Sequence, residues 1–200
     1  MNTAVDPTMR KRNLRTVGLL AGIFFLPLAL SFYMYYGAGW RPAASTAHGE
    51  LYSPARPIPM ADLRDAKGTI APANVLSEKW ALVYVGDGAC DAPCQSSLYF
   101  MRQTRLSLNN EMTRVARVFL ATAQCCNSEL LEREHPGLIT LDASGPEAVE
   151  LIATFPPKDR AQSLFIVDPL GNLVMRYDTR ESPKGLLDDL KKLLKLSHIG

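Results

Sequence analysis

The chain has 200 residues, room for one sizeable domain and a tail, with a formal net charge of +2. That near-balance excludes the basic footprint of a nucleic-acid-binding protein. Its four cysteines are too few for a disulfide-stapled mini-protein and suit a redox or metal role better.

The chain opens with a basic segment, 1–15, that holds Arg10, Lys11, Arg12 and Arg15. No charged residue follows from Thr16 to Trp40, and Val17 to Tyr36 is rich in Leu, Phe and Ala. A run of that length spans the hydrocarbon of a bilayer, and Pro27 inside it is tolerated in a membrane helix. Tyr33, Tyr35, Tyr36 and Trp40 make an aromatic belt at its far end. Segment 16–40 is therefore expected to be an uncleaved transmembrane helix. It exceeds the apolar stretch of a signal peptide, and no clean small-x-small site follows directly. The positive-inside rule leaves the N-terminus in the cytoplasm and everything after Trp40 outside it, in an inner or cytoplasmic membrane. A bacterial periplasm or a mitochondrial intermembrane space fits, and disulfides persist in both.

Segment 41–77 carries Pro42, Pro54, Pro57, Pro59 and Pro72. It reads as an extended tether, because proline is excluded from helix interiors and central strands. His48-Gly49-Glu50-Leu51 and Ile58-Pro59-Met60 are expected to pack along the domain edge, with His48 solvated. The domain is expected over 78–200. Trp80–Val85 has the length and apolar run of a strand buried on both faces. A helix is predicted from Pro93 to Asn109, with Leu98, Met101 and Leu108 on one face, Arg105 on the same stripe and Arg102 solvated to the side. Val115–Ala121 is a second strand, completing a βαβ unit. A short helix follows from Ser128 to Glu134, then an extended piece over Leu138–Leu141. Ser144-Gly145-Pro146-Glu147 reads as a capping box before a helix that buries Ala148, Leu151, Ile152 and Phe155. Leu164–Val167 and Leu173–Tyr177 form a hairpin across Asp168-Pro169-Leu170-Gly171-Asn172. Ser182-Pro183 opens a last helix with a leucine stripe. This order points to an α/β, thioredoxin-like domain.

The stretch Cys90-Asp91-Ala92-Pro93-Cys94 falls where the first strand gives way to the first helix. Unpaired N–H groups and the helix dipole favour a thiolate there, lowering its pKa. Asp91 is the expected N-cap, and Pro93 suits the first turn. Two helical cysteines at this spacing share a face and can clamp a soft metal ion; with the first turn slightly unwound they can close a disulfide. Both sulfurs are expected to emerge together, accessible to a visiting molecule. Cys125-Cys126 follows the second strand, and parallel strands end on one sheet edge, so all four sulfurs are expected on one rim. Three readings stay open for this pair: semi-buried loop cysteines, a resolving thiol for Cys90 or Cys94, or extra thiolate ligands for an ion such as Cu(I).

Lys79 to Cys94, the segment Leu164-Phe165-Ile166-Val167-Asp168-Pro169-Leu170-Gly171 and the leucine-rich last helix resemble the Sco/SenC family. These are membrane-anchored thioredoxin-like proteins of cytochrome c oxidase assembly, linked to copper insertion and to reduction of the cysteines of the subunit II copper site. The resemblance implies Cys90 and Cys94 as catalytic or Cu(I)-binding residues. It implies oxidase subunit II or a copper chaperone as partner. Two departures stand out. Gln95 replaces the family's proline after the second cysteine. The family's histidine, placed by its offset from Asp168, falls near Arg160. Neither His48 nor His135 sits at the matching place, and both are expected at the surface. An arginine facing the dithiol stabilises a thiolate and repels a cation, which tilts the expected chemistry toward thiol–disulfide exchange, with Cys90 attacking and Cys94 resolving. A Cu(I) chaperone and a non-catalytic assembly module are the alternatives.

Overall fold

The computed structural model describes residues 7–38, 46–126, 128–197 and 199. It contains two compact units, Met1–Ser45 and Thr46–Gly200.

The first unit is a helix, α1 (Pro7–Phe32), with Pro27 inside it, continued by one π-helical turn over Tyr33–Gly37. Lys11–Gly37 is long and apolar enough to cross a membrane, and none of it is buried within the protein. These are the dimensions of a single-pass anchor. Trp40 of the expected aromatic belt lies outside the described residues.

The second unit is a seven-stranded mixed sheet in the order β1-β7-β6-β3-β4-β5-β2. Its strands are β1 (Glu50–Pro57), β2 (Arg64–Asp65), β3 (Trp80–Gly86), β4 (Val115–Ala121), β5 (Ile139–Asp142), β6 (Ser163–Val167) and β7 (Asn172–Asp178). The helices are α2 (Ala92–Leu106), α3 (Ser128–Glu134), α4 (Val149–Thr154) and α5 (Pro183–Leu196). Strands β3, β4 and β5 run parallel, and β6 lies antiparallel to β3 on its other side. The alternation of β3 explains its all-apolar sequence. Trp80, Leu82 and Tyr84 enter one core with Leu98 and Met101 of α2 and Leu186, Leu190 and Leu194 of α5. Ala81, Val83 and Val85 enter the other, with Leu151 of α4. Each large side chain so buried contributes about 1.5–3 kcal/mol.

Of the expected tether, 41–45 lie outside the described residues, and 46–77 depart from it: the folded unit begins at Thr46 rather than near Glu78. Strand β1 pairs antiparallel with β7 and β2 with β5, so this segment supplies both edges of the sheet. Pro54 and Pro57 are compatible with β1 because an edge strand has one unpaired side, where a missing N–H breaks no ladder. The register shift between Leu51 and Arg56 absorbs the mismatch. The arm is fastened by Asp189 of α5, whose carboxylate accepts the backbone N–H groups of His48 and Gly49, both at 2.9 Å.

Two local expectations change. Ser144 caps no helix. Its hydroxyl donates to Asp142 at 2.6 Å, and a 3-10 turn over Pro146–Ala148 leads into α4. Helix α2 stops at Leu106, short of Asn109, and Arg105 leaves its apolar stripe by donating to the Val115 carbonyl at 2.6 Å. The hairpin holds as read. Gly171 takes φ +82°, and the Asp168 carboxylate accepts the N–H groups of Leu170 and Asn172 at 2.9 and 2.8 Å.

Candidate redox site

Strand β3 ends at Gly86, and the chain turns through Asp87-Gly88-Ala89 into α2. Asp87 fixes the turn, its carboxylate accepting Ala89 N–H at 2.9 Å and its carbonyl accepting Cys90 N–H at 3.1 Å. Cys90 takes φ +52°, in the left-handed region that non-glycine residues seldom adopt, and so stands just outside the helix. Asp91 is the N-cap, accepting from Cys94 N–H at 3.1 Å, and Pro93 occupies the first turn. Cys90 and Cys94 are joined as a disulfide, their Cα atoms 5.1 Å apart. Gln95, where the resemblance expects a proline, donates from its side chain to the Cys90 carbonyl at 3.1 Å. It therefore tethers the loop to the helix.

The expected accessibility of these sulfurs is not what the fold provides. Cys90 is 2% exposed and Cys94 1%, both within the apolar cluster of Tyr84, Leu98, Met101 and Phe119. The reason lies in the loop after β4. Gly86 and Ala121 are register partners at the ends of parallel strands, so the two following loops leave the same edge side by side. Thr122 N–H donates to Gly86 O at 2.8 Å and Gly88 N–H to Ala123 O at 2.7 Å. A side chain at Gly88 would meet Gln124 O at 2.6 Å and Cys125 Cα at 2.8 Å. The 122–126 loop thus lies directly on the loop leading to Cys90. Cys125 and Cys126, bonded to each other, are half-buried and pack on the cluster that holds Cys90 and Cys94. Beneath, burial and the Asp91 carboxylate push the Tyr84 phenol up to about 12, and its hydroxyl donates to Ala161 O at 3.3 Å. Tyr84 is neutral at ordinary pH and acts as a wall of the site.

Arg160, expected as an accessory charge for the dithiol, is engaged at the end of α4 instead. Its guanidinium donates to the carbonyls of Phe155, Pro156 and Ile152 at 2.5, 3.3 and 3.5 Å, closing the C-terminal end of α4. Lone carbonyls at a helix end attract a cation, and this one is held there. Arg102, expected in solvent, reaches the carbonyl of Glu134.

His135 is likewise not a surface residue. It is 6% exposed, its Nδ1 has no hydrogen-bond partner among the described residues, and it lines a cavity of about 520 Å³ together with Lys67, Leu131 and Cys126. Burial, with the charges of Arg102 and Arg117 secondary, holds its pKa below the ordinary histidine value. The unfolded chain then binds a proton that the folded one refuses, so stability is full above the ordinary histidine pKa and falls as pH drops through it. Urea midpoints of the wild type are expected to fall from pH 7 to pH 5 by more than those of His135→Leu. Equal slopes would remove His135 from the acid response.

Residues 80–197 match a family model described as transmembrane-like, thioredoxin-like, C-terminal domain. The chain belongs to this family. No curated protein matches the sequence. Among solved structures, the fold of this family member is similar to that of yeast Sco1 with copper bound, at 18% identity and TM-score 0.61 over 70% of this chain and 92% of that one. Apo Sco1 from Thermus thermophilus gives 22% and 0.59 over 76% and 100%. BsSco, in which a disulfide switch was identified, gives 13% and 0.53 over 71% and 96%. The likeness is one of fold, and it agrees with the thioredoxin-like arrangement read from the sequence.

Copper is bound in the first of these, and in this structure the matching cysteines are closed as a disulfide, so the donors as they stand do not fit an ion. Cys90 and Cys94 are bonded to each other and supply thiolates only once that bond opens, and Arg160, near the position expected for the family's histidine, cannot ligate a cation. Among the described residues, no group of three or more His, Cys, Asp or Glu is placed to hold a metal ion.

Proposed function

We propose that this protein is a membrane-anchored thiol–disulfide factor for cytochrome c oxidase assembly, acting through Cys90 and Cys94 on a dedicated partner, subunit II of the oxidase or a copper chaperone. The observation that carries the reading is the Cys90–Cys94 disulfide at the first turn of α2. A helix N-terminus stabilises the thiolate released when such a bond opens, and a thiolate is the species that exchanges. The likeness to BsSco, described as a member of a family of cytochrome c oxidase assembly proteins, supports the process. The basic residues at the start of α1, Arg10, Lys11, Arg12 and Arg15, support a cytoplasmic N-terminus, with the domain in the periplasm or, in a mitochondrion, the intermembrane space. A standing disulfide suits those oxidising compartments.

Replacing Cys90 and Cys94 together by serine in cells lacking the native copy is expected to abolish maturation of the oxidase copper site, read as copper content and absorbance of the assembled enzyme. Undiminished maturation would leave only a docking role. The wild-type pair is expected to equilibrate at a potential between about −270 and −120 mV, the span of exchange proteins.

A further inference from the structure

Two cysteine pairs meet at one edge of the sheet, and their exposure differs. The pair assigned to exchange is closed off, at 2% and 1% exposure. The pair on the adjoining loop, Cys125 and Cys126, is half-buried and so less enclosed. Cys126 also lines the cavity of about 520 Å³ whose walls include Lys67, Leu131, His135 and Thr140. Cys126 is thus open to the cavity, whereas Cys90 and Cys94 are closed off and the 122–126 loop lies on the loop that leads to them. The two loops are tied by the Gly88–Ala123 hydrogen bond at 2.7 Å, and Cys125 and Cys126 pack on the cluster containing the inner pair. Each loop also holds a non-glycine residue in the left-handed region, Cys90 at φ +52° and Gln124 at φ +45°. Such backbone persists only where its surroundings over-determine it, and it gathers at working sites.

We infer that Cys125 and Cys126 form a relay that carries electrons between a partner dithiol and the buried Cys90–Cys94 disulfide. The inference rests on the exchange role proposed above and adds the route. A thiolate of the partner attacks one sulfur of the Cys125–Cys126 bond, giving a mixed disulfide and one free thiol on the loop. The partner's second thiol attacks the mixed disulfide, leaves as an intramolecular disulfide, and releases the loop pair as a dithiol. One loop thiolate then attacks a sulfur of Cys90–Cys94 and forms a disulfide between the two loops. The other loop cysteine displaces it, restoring Cys125–Cys126 and leaving Cys90 and Cys94 as thiols. The partner loses two electrons and two protons, the inner pair gains them, and the relay is unchanged. Run in reverse, the same steps oxidise the partner.

The test uses the full chain in detergent, with dithiothreitol as the dithiol probe, acid quenching, alkylation and peptide mass spectrometry. In the wild type, Cys125 and Cys126 are expected to become alkylated before Cys90 and Cys94. In the double variant Cys125→Ser, Cys126→Ser, opening of Cys90–Cys94 is expected to slow by about tenfold or more, a barrier about 1.4 kcal/mol higher. Its equilibrium potential is expected to stay unchanged, since a relay alters rate and not balance. A loop with a merely structural role would shift that potential or the melting temperature and leave the order of alkylation reversed or simultaneous, which overturns the relay. Unslowed opening in the double variant also overturns the relay while leaving the exchange role standing. An inner disulfide that native wild-type protein never opens to dithiothreitol overturns both. The order of alkylation in the wild type needs no variant to fold.

Discussion

Gly88→Val is expected to lower the melting temperature and to speed opening of the Cys90–Cys94 disulfide by dithiothreitol. A Cβ at this position would lie 2.6 Å from Gln124 O, 2.8 Å from Ala123 O and 2.8 Å from Cys125 Cα, all of them backbone atoms that no rotamer change can move. The 122–126 loop must therefore shift, at a cost of about 1–3 kcal/mol for overpacking of this kind. For a folded unit of this size that is a drop of roughly 2–12 °C. The same shift uncovers sulfurs that are now 2% and 1% exposed, so a small thiol gains direct access. Thermal melts and alkylation kinetics measure the two effects on one sample. A variant with wild-type stability and a wild-type rate of disulfide opening would show that the loop does not cover the inner pair.

Asp189→Ala is expected to release the arm that carries β1. Asp189 is 3% exposed and accepts both the His48 and Gly49 N–H groups at 2.9 Å. Hydrogen bonds to a charged group contribute about 1.5–3 kcal/mol each, and two donors left unpaired in a buried place add a penalty. Allowing for the cost of burying the carboxylate, the net loss is about 2–4 kcal/mol, or roughly 4–16 °C in melting temperature. Amide exchange over 48–57 is expected to accelerate more than exchange in β3, which separates loss of the arm from general destabilisation. Both N–H groups donate to one oxygen, Oδ2, so Asp189→Asn can keep both bonds, loses only their charge assistance, and is expected to cost less than the alanine variant. Equal protection of β1 in the alanine variant would show that pairing with β7 alone holds the edge.

Much of the fold was legible because its signals are local. The all-apolar run Trp80–Val85 can only be satisfied by a strand covered on both faces, and it proves central. Asp91 before Ala-Pro-Cys caps a helix through its own side chain. Asp168-Pro169-Leu170-Gly171 closes a hairpin through its own backbone. The arm at 41–77 misled because proline argues against a central strand and is neutral about an edge, and an edge is defined by its neighbour. Arg160 misled for a related reason. Its offset from Asp168 placed its backbone, while its side chain followed the open carbonyls of α4.

Sequence by itself determined an anchor-length apolar helix, the order of strands and helices from Trp80 onward, and the two cysteine pairs following two parallel strands. Each of these depends on composition or spacing within a few residues. Tertiary structure alone decided which pair is covered, that His135 is enclosed, and that the arm belongs to the sheet. Burial is a property of what packs on a residue from elsewhere in the chain. Cys90 and Cys94 are enclosed by a cluster drawn from β3, α2, β4 and α5, and the 122–126 loop is laid on the loop before them by the parallel pairing of Gly86 with Ala121.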